Sequence, residues 1–268
     1  MSDPVNYAKL FGFHSIPAAA ILAVGYLPVG VWFLFRLISR RSYLLFTITL
    51  FCFIRVGAFV LRIILIANTS LGENQTVFIT DEVLFSTGFF GLLYGAYGLV
   101  VDRLEHRESS TDNPVTAGLR NRKLFHVALV IAVVMGIIGT IRATGNSPKG
   151  DGSTLRKASV VVFVVLTIVQ ALQTFSLVKA ERSDPPEYRS KYIDHTIGAR
   201  HGATIFVLIS ALLLVREVYS LATIGSVAKQ NNEVTWYPFV ALPEIVCVAL
   251  YALPGIIPSP DSYTDLPR

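Results

Sequence analysis

The sequence predicts an all-α fold, a bundle of seven transmembrane helices in which residues 1–268 form a single membrane domain. Three observations predict it. Charged residues are 15% of the chain and apolar ones 53%, whereas a soluble globular protein carries roughly 25% charged residues. Mean hydropathy is positive, at +0.57. Apolar runs of ~20 residues, each long enough to cross a hydrocarbon core as a helix, recur along the whole length between short polar segments. The runs are continuously apolar and do not alternate, which excludes a transmembrane β-barrel.

The spans fall near 14–35, 43–67, 77–101, 124–141, 158–178, 202–222 and 235–256. The first closes at Arg40-Arg41-Ser42 and the second at Leu71-Gly72-Glu73-Asn74. The polar stretch from Glu105 to Lys123 separates the third from the fourth. Asn146-Ser147-Pro148-Lys149-Gly150-Asp151-Gly152, Ser183-Asp184-Pro185-Pro186 and Lys229-Gln230-Asn231-Asn232 divide the rest, each with the turn chemistry that ends helices. Pro243 and Pro254 fall in the last run, where a missing N–H predicts a kink and a freed carbonyl beside Glu244. No basic region or small-residue cleavage site marks the first run as a cleaved signal, so it is expected to stay. Cys52 and Cys247 both lie in apolar runs and read as packed thiols.

Basic residues orient the bundle. Arg36, Arg40 and Arg41, five residues between 103 and 123, five between 179 and 200, and Arg268 place fourteen on one side. Six lie on the other: Lys9, Arg142, Lys149, Arg156, Lys157 and Lys229. The N-terminus is therefore expected outside or lumenal and the C-terminus cytosolic, in the plasma membrane or the endomembrane system. The loop after the second span agrees. It has no Lys or Arg and carries two N-x-[ST] sequons, at Asn68 and Asn74, which are candidate glycosylation sites only on the lumenal side. The net charge of +5 is accounted for by cytosolic loops facing anionic lipid. No basic soluble face exists for nucleic acid.

Ionisable groups inside spans are costly and mark a pathway, a site or an internal pair. The second span holds Arg55 and Arg62, seven residues apart and so on one helical face. The third opens with Asp81-Glu82, the sixth contains Arg216-Glu217, and Glu244 sits near the middle of the seventh. Three arginines thus face four carboxylates. Counting at 1.5 Å per residue, Arg62, Asp81, Glu82, Arg216 and Glu217 share one depth in the outer half, with Arg55 and Glu244 nearer the midplane. These seven and Tyr219 are the candidate ligand-binding residues, and Gln170, Gln173, Tyr94, Tyr97 and Tyr251 are placed to extend the cluster inward. The plainer reading is a structural network joining helices. The third span also carries Gly88, Gly91, Gly95 and Gly98 on one face, a pattern that reads as close helix packing.

Several classes find no support. The last span has no Lys for a retinal Schiff base, and the five histidines are scattered, so no metal and no other cofactor is expected. Nucleophile-elbow, phosphate-cradling and dinucleotide motifs are absent. Asp102-Arg103 stands where rhodopsin-like receptors carry Asp-Arg-Tyr, but Leu104 replaces the tyrosine.

Short motifs carry a resemblance: Ile54-Arg55-Val56-Gly57-Ala58, Phe90-Gly91-Leu92-Leu93 through Gly98-Leu99, Arg216-x-x-Tyr219, and Leu242-Pro243-Glu244 followed by Leu250-Tyr251. In these the chain resembles a group of fungal seven-span proteins that includes the lipid-translocating-exporter (RTA-like) family and a related uncharacterised branch, the nearer match. The resemblance implies movement or sensing of lipids and resistance to amphiphilic toxins. The chain departs from the exporters at Ser220-Leu221-Ala222, where an Arg and then a Glu are expected, and at Leu253-Pro254, where a His is expected before the Pro. These departures weigh against lipid export itself.

The expected function is non-enzymatic binding of a membrane lipid or small hydrophobic amphiphile in the bundle, for transport or sensing. Arg55 and Arg62 would meet its headgroup, and Glu244, Glu217 and Asp81 would act as counter-charges or proton carriers. An intramembrane cyclase or isomerase, with Glu244 or Asp81 as general acid, and a purely structural membrane subunit both stay open. So does the oligomeric state.

Overall fold

The computed structural model describes residues 6–105, 120–144, 151–183 and 197–257. Among them every regular element is helical, and seven helices are long and apolar enough to span a bilayer. They are α1 (Ile16–Ser39), α2 (Tyr43–Ala67), α3 (Gln75–Glu105), α4 (Arg122–Thr144), α5 (Asp151–Ser183), α6 (Gly202–Thr223) and α7 (Glu233–Tyr251). Their outward faces are apolar and exposed, as at Ile21, Val24, Phe35, Ile38 and Phe175. Apolar surface of that extent is stable only under lipid. The protein is a multi-pass integral membrane protein.

Helix α3 is the axis of the bundle. Its apolar window is 61% buried against 28–44% for the other six, and it packs on α2, α4, α5, α6 and α7. The glycine stripe explains part of this. A Cβ at Gly91 would lie 3.2 Å from Thr47 Cγ2 and one at Gly95 3.3 Å from Leu44 Cδ1, so α2 and α3 touch there because side chains are missing. Gly98 differs, since a Cβ there meets open space.

Two boundaries and one internal turn depart from the sequence reading in ways that matter. Helix α5 begins at Asp151, seven residues before the expected 158. Gly139 permits this, because a Cβ there would sit 2.6 Å from the backbone nitrogen of Arg156. The end of α4 and the start of α5 are in backbone contact, since a Cβ at Gly152 would likewise lie 2.5 Å from the Ala143 nitrogen. Helix α7 contains a π-helical turn at Tyr237–Ala241, with Leu242 N–H bonded to the Tyr237 carbonyl. Pro243 follows it, and a residue without N–H disfavours the regular α register just there. Finally, α7 ends at Tyr251 and not near 256. Pro254 does not kink the span but lies beyond it, in a turn closed by Gly255 at φ +85°, a left-handed conformation suited to glycine.

The N-terminal segment also takes part. Tyr7, Phe11 and Phe13 pack their rings around Phe78 of α3. The backbone N–H groups of His14 and Ser15 donate to the carboxylate of Glu233, at 3.0 and 2.8 Å. Glu233 therefore ties the start of α1 to the start of α7.

Candidate functional site

Chain alternation puts the ends of α2, α4 and α6 and the starts of α1, α3, α5 and α7 on one side of the bundle, the side of the N-terminus. The charges singled out within the spans lie in that half or, for Arg55 and Glu244, near the middle of their helices, and the structure brings them into two groups. Arg55 and Glu244 form the deeper one, with Nη2 2.7 Å from Oε1 and both side chains out of solvent reach. Arg55 Nη1 also donates to the Phe85 carbonyl at 3.0 Å and reaches that of Leu84 at 3.5 Å. Its guanidinium fits against α3 because residue 88 is glycine: a Cβ would lie 3.1 Å from Arg55 Cζ. Glu244 Oε1 is shared with Arg216, whose Nε lies 3.4 Å away. Arg216 in turn pairs through Nη1 with its neighbour Glu217. The order Arg55, Glu244, Arg216, Glu217 alternates charge across α2, α7 and α6, which is what a buried network requires.

Arg62 and Asp81 form the second group. Arg62 Nη2 and Nε donate to Asp81 Oδ2 at 2.9 and 3.2 Å. The guanidinium is boxed by three rings, Phe13 at 4.3 Å, Phe85 at 4.1 Å and Trp236 at 4.4 Å. Cation–π contacts of this kind strengthen when desolvated, so the box holds the arginine in place inside the apolar zone.

Beside these pairs lies a partly open cavity of about 80 Å³, walled by α2, α3, α4, α5, α6 and the start of α7. Of the sequence-predicted residues, Arg62, Glu82, Arg216, Glu217 and Tyr219 line it, whereas Arg55, Asp81 and Glu244 stand behind the wall. Glu217 Oε2 is buried and has no hydrogen-bond partner among the described residues. Glu82 Oε1 accepts from Asn231 Nδ2 at 2.7 Å. Tyr219 holds the segment that carries Asn231. Its hydroxyl lies 3.1 and 3.2 Å from the carbonyls of Lys229 and Gln230 and 3.0 Å from Thr235 Oγ1.

The sequence reading missed one wall residue of consequence. Arg156, expected in the loop before α5, is on the second turn of that helix and lines the cavity, where Nη2 donates to Gln230 Oε1. With Arg156 included, four arginines face four carboxylates. The signal was present in the sequence only as Gly139 and Gly152, which let α4 and α5 pack up to their connection.

The residues expected to extend the cluster inward do not join it. Gln170 Nε2 donates to Thr174 and Ser210, both at 2.9 Å, in a separate contact between α5 and α6. Tyr251 donates to the Leu92 carbonyl at 3.1 Å. Tyr94 and Tyr97 line a second cavity of about 210 Å³ toward the opposite side, with Tyr43, Gly98, Asp102 and Arg122. Asp102, singled out with Arg103, is 2.5 Å from Arg122, and Arg103 donates to the Gly255 carbonyl at 2.9 Å. These are ties at the ends of helices. Asn68 and Asn74 are exposed, and their Oδ1 atoms cap the turns that follow, accepting from Ser70 N at 3.1 Å and Thr76 N at 3.0 Å. Among the described residues no three His, Cys, Asp or Glu side chains gather as metal ligands.

A family model described as a domain of unknown function (DUF7702) matches residues 18–257. The chain belongs to that family. The match runs from the first turn of α1 to just past α7, so all seven helices and both cavities lie within the DUF7702 unit. No curated protein and no solved structure matches the chain.

Proposed function

We propose that this DUF7702 protein binds the polar head of an amphiphile, a lipid or a small hydrophobic molecule, in the cavity on the N-terminal side, and transports or senses it. One observation carries the reading: a cavity at membrane depth is walled by charged side chains, one of whose buried carboxylate oxygens, Glu217 Oε2, has no donor among the described residues. Ordinary core packing does not leave such a group beside open space. At about 80 Å³ the cavity admits the tip of a headgroup and not a whole ligand, for which roughly 300–1,000 Å³ is usual. The apolar tail would run out through the open side into lipid.

Arg55, Glu244 and Asp81 support the wall in this reading and do not touch the ligand. An acid–base reaction at Glu244 or Asp81 would need a substrate to reach carboxylates that do not line the cavity. The basic-residue bias supports the N-terminus outside or lumenal, which places the cavity mouth toward the outer leaflet, and modification of Asn68 or Asn74 would be its direct mark. Lipid handling also accords with the resemblance to fungal seven-span proteins.

The test is mass spectrometry of the intact protein released from mild detergent. Wild type should retain an amphiphile, and Ser86→Trp and Ser220→Phe, which fill the cavity from α3 and α6, should lose it while remaining folded by circular dichroism. An unchanged lipid complement in both folded variants would exclude the cavity as the binding site.

A further inference from the structure

The pairing of charges around the cavity is incomplete in a specific way. Arg62 has Asp81, and Arg216 has Glu217 and Glu244. The remaining two charged wall residues, Arg156 and Glu82, form no ion pair among the described residues. Each is met by a neutral amide, Arg156 by Gln230 and Glu82 by Asn231. These amides are consecutive, on the segment between α6 and α7 that Tyr219 holds by two backbone carbonyls. Neutral amides satisfy the hydrogen bonds but leave a cation and an anion uncompensated on the two walls, α5 and α3. A charged partner makes a hydrogen bond roughly twice as strong, so a ligand bearing both charges outcompetes the amides at both ends.

We propose that the cavity selects a zwitterionic headgroup, its phosphate or carboxylate against Arg156 and its primary ammonium against Glu82, displacing Gln230 and Asn231 together. The inference rests on the cavity being the amphiphile site. A headgroup with only an anion would answer Arg156 but would add negative charge beside Glu82, Asp81 and Glu217. One with only a cation would leave Arg156 and add to Arg62 and Arg216. The ammonium must carry N–H groups for the same reason. Quaternary ammonium is recognised by a box of open aromatic faces, and of the four rings that line the cavity two, Phe85 and Trp236, are already covered by the Arg62 guanidinium and a third, Tyr219, stacks on Phe239. The acceptors that remain are Glu82, met only by the neutral Asn231 amide, and the buried Glu217 Oε2, which has no donor among the described residues. Because both displaced amides are on residues 230 and 231, filling the cavity also releases the segment before α7 from two of its side-chain anchors.

Thermal unfolding of the purified protein in mild detergent tests this with five oleoyl or oleyl probes. They are lysophosphatidylethanolamine, lysophosphatidylcholine, lysophosphatidic acid, oleylamine and monooleoylglycerol. Lysophosphatidylethanolamine should stabilise at a concentration about tenfold lower than any other, the worth of one charge-assisted hydrogen bond. Glu82→Gln should erase its advantage over lysophosphatidic acid, Arg156→Gln its advantage over oleylamine, and Arg156→Lys, which keeps the charge, should preserve most of it. Equal stabilisation by lysophosphatidic acid, or a preference that survives Glu82→Gln, overturns the zwitterion inference and leaves the amphiphile reading standing. Stabilisation by none of the five, or stabilisation undiminished in Ser86→Trp, overturns the amphiphile reading itself.

Discussion

Two parts of one charged network behave as different materials. Arg55 and Glu244 are enclosed on every side, with the guanidinium set against the backbone of α3 and the carboxylate shared with Arg216. Glu82, Arg156 and Glu217, only a few turns away, look onto open space, and two of the three are met by neutral amides. Burial alone does not separate the two groups, since Glu217 and Glu244 are each 1% exposed. Partner structure does. A buried charge met by an opposite charge holds helices together, whereas a charge answered by an uncharged group beside a cavity has capacity left for a ligand.

The largest effect is expected in the enclosed pair. Arg55→Gln or Glu244→Gln leaves an uncompensated buried charge, a loss of about 3–5 kcal/mol in comparable cases, and should remove most of the protein from the membrane fraction on immunoblotting. Normal abundance of either variant would break the comparison at its root. A smaller loss is expected for Gly88→Ala, whose new methyl would press on the Arg55 guanidinium at 3.1 Å. Overpacking of this kind typically costs about 1–3 kcal/mol, readable as a lowered unfolding temperature, and Gly98→Ala, which meets open space, should not share it.

On the cavity side stability should hardly move. Glu82→Gln removes a charge that has no ionic partner but keeps the shape, and should alter amphiphile binding in the purified protein at near-normal expression. At the other end of the bundle, Arg122 bridges Asp102 and Glu105 at 2.5 and 2.7 Å with all three side chains a third or more exposed. Pairs of that kind contribute about 0–1 kcal/mol, so Arg122→Gln should shift the unfolding temperature least of all.

Much of this was legible in the sequence and some was not, for physical reasons. Seven spans could be read because hydrocarbon imposes a length and polarity that few other environments demand. Arg55 and Arg62 could be assigned to one face because seven residues are close to two helical turns, and the common depth of Asp81, Glu82, Arg216 and Glu217 followed from the helical rise. Partner choice could not be read. Nothing in the order of residues says that Glu244 serves both Arg55 and Arg216, or that Phe13, far from any span partner in sequence, closes the box around Arg62. Arg156 was hidden because the hydropathy of α5 begins later than its helix, and only the contact of Gly139 with the Arg156 backbone extends it. The π-helical turn before Glu244 was foreshadowed by Pro243, though not its form.

The most direct test sets the two regions side by side in one molecule. Ser86→Cys places a thiol on the cavity wall, one turn along α3 from Glu82, while the native Cys247 sits on α7 one turn from Glu244 and is fully buried. With Cys52 replaced by Ser, a charged, membrane-impermeant thiol reagent applied to intact membranes should label the introduced thiol and leave Cys247 untouched until the protein is denatured. Labelling of Cys247 at a comparable rate, or failure to label the introduced thiol from either side of the membrane, would contradict the division between an enclosed structural pair and an open binding site.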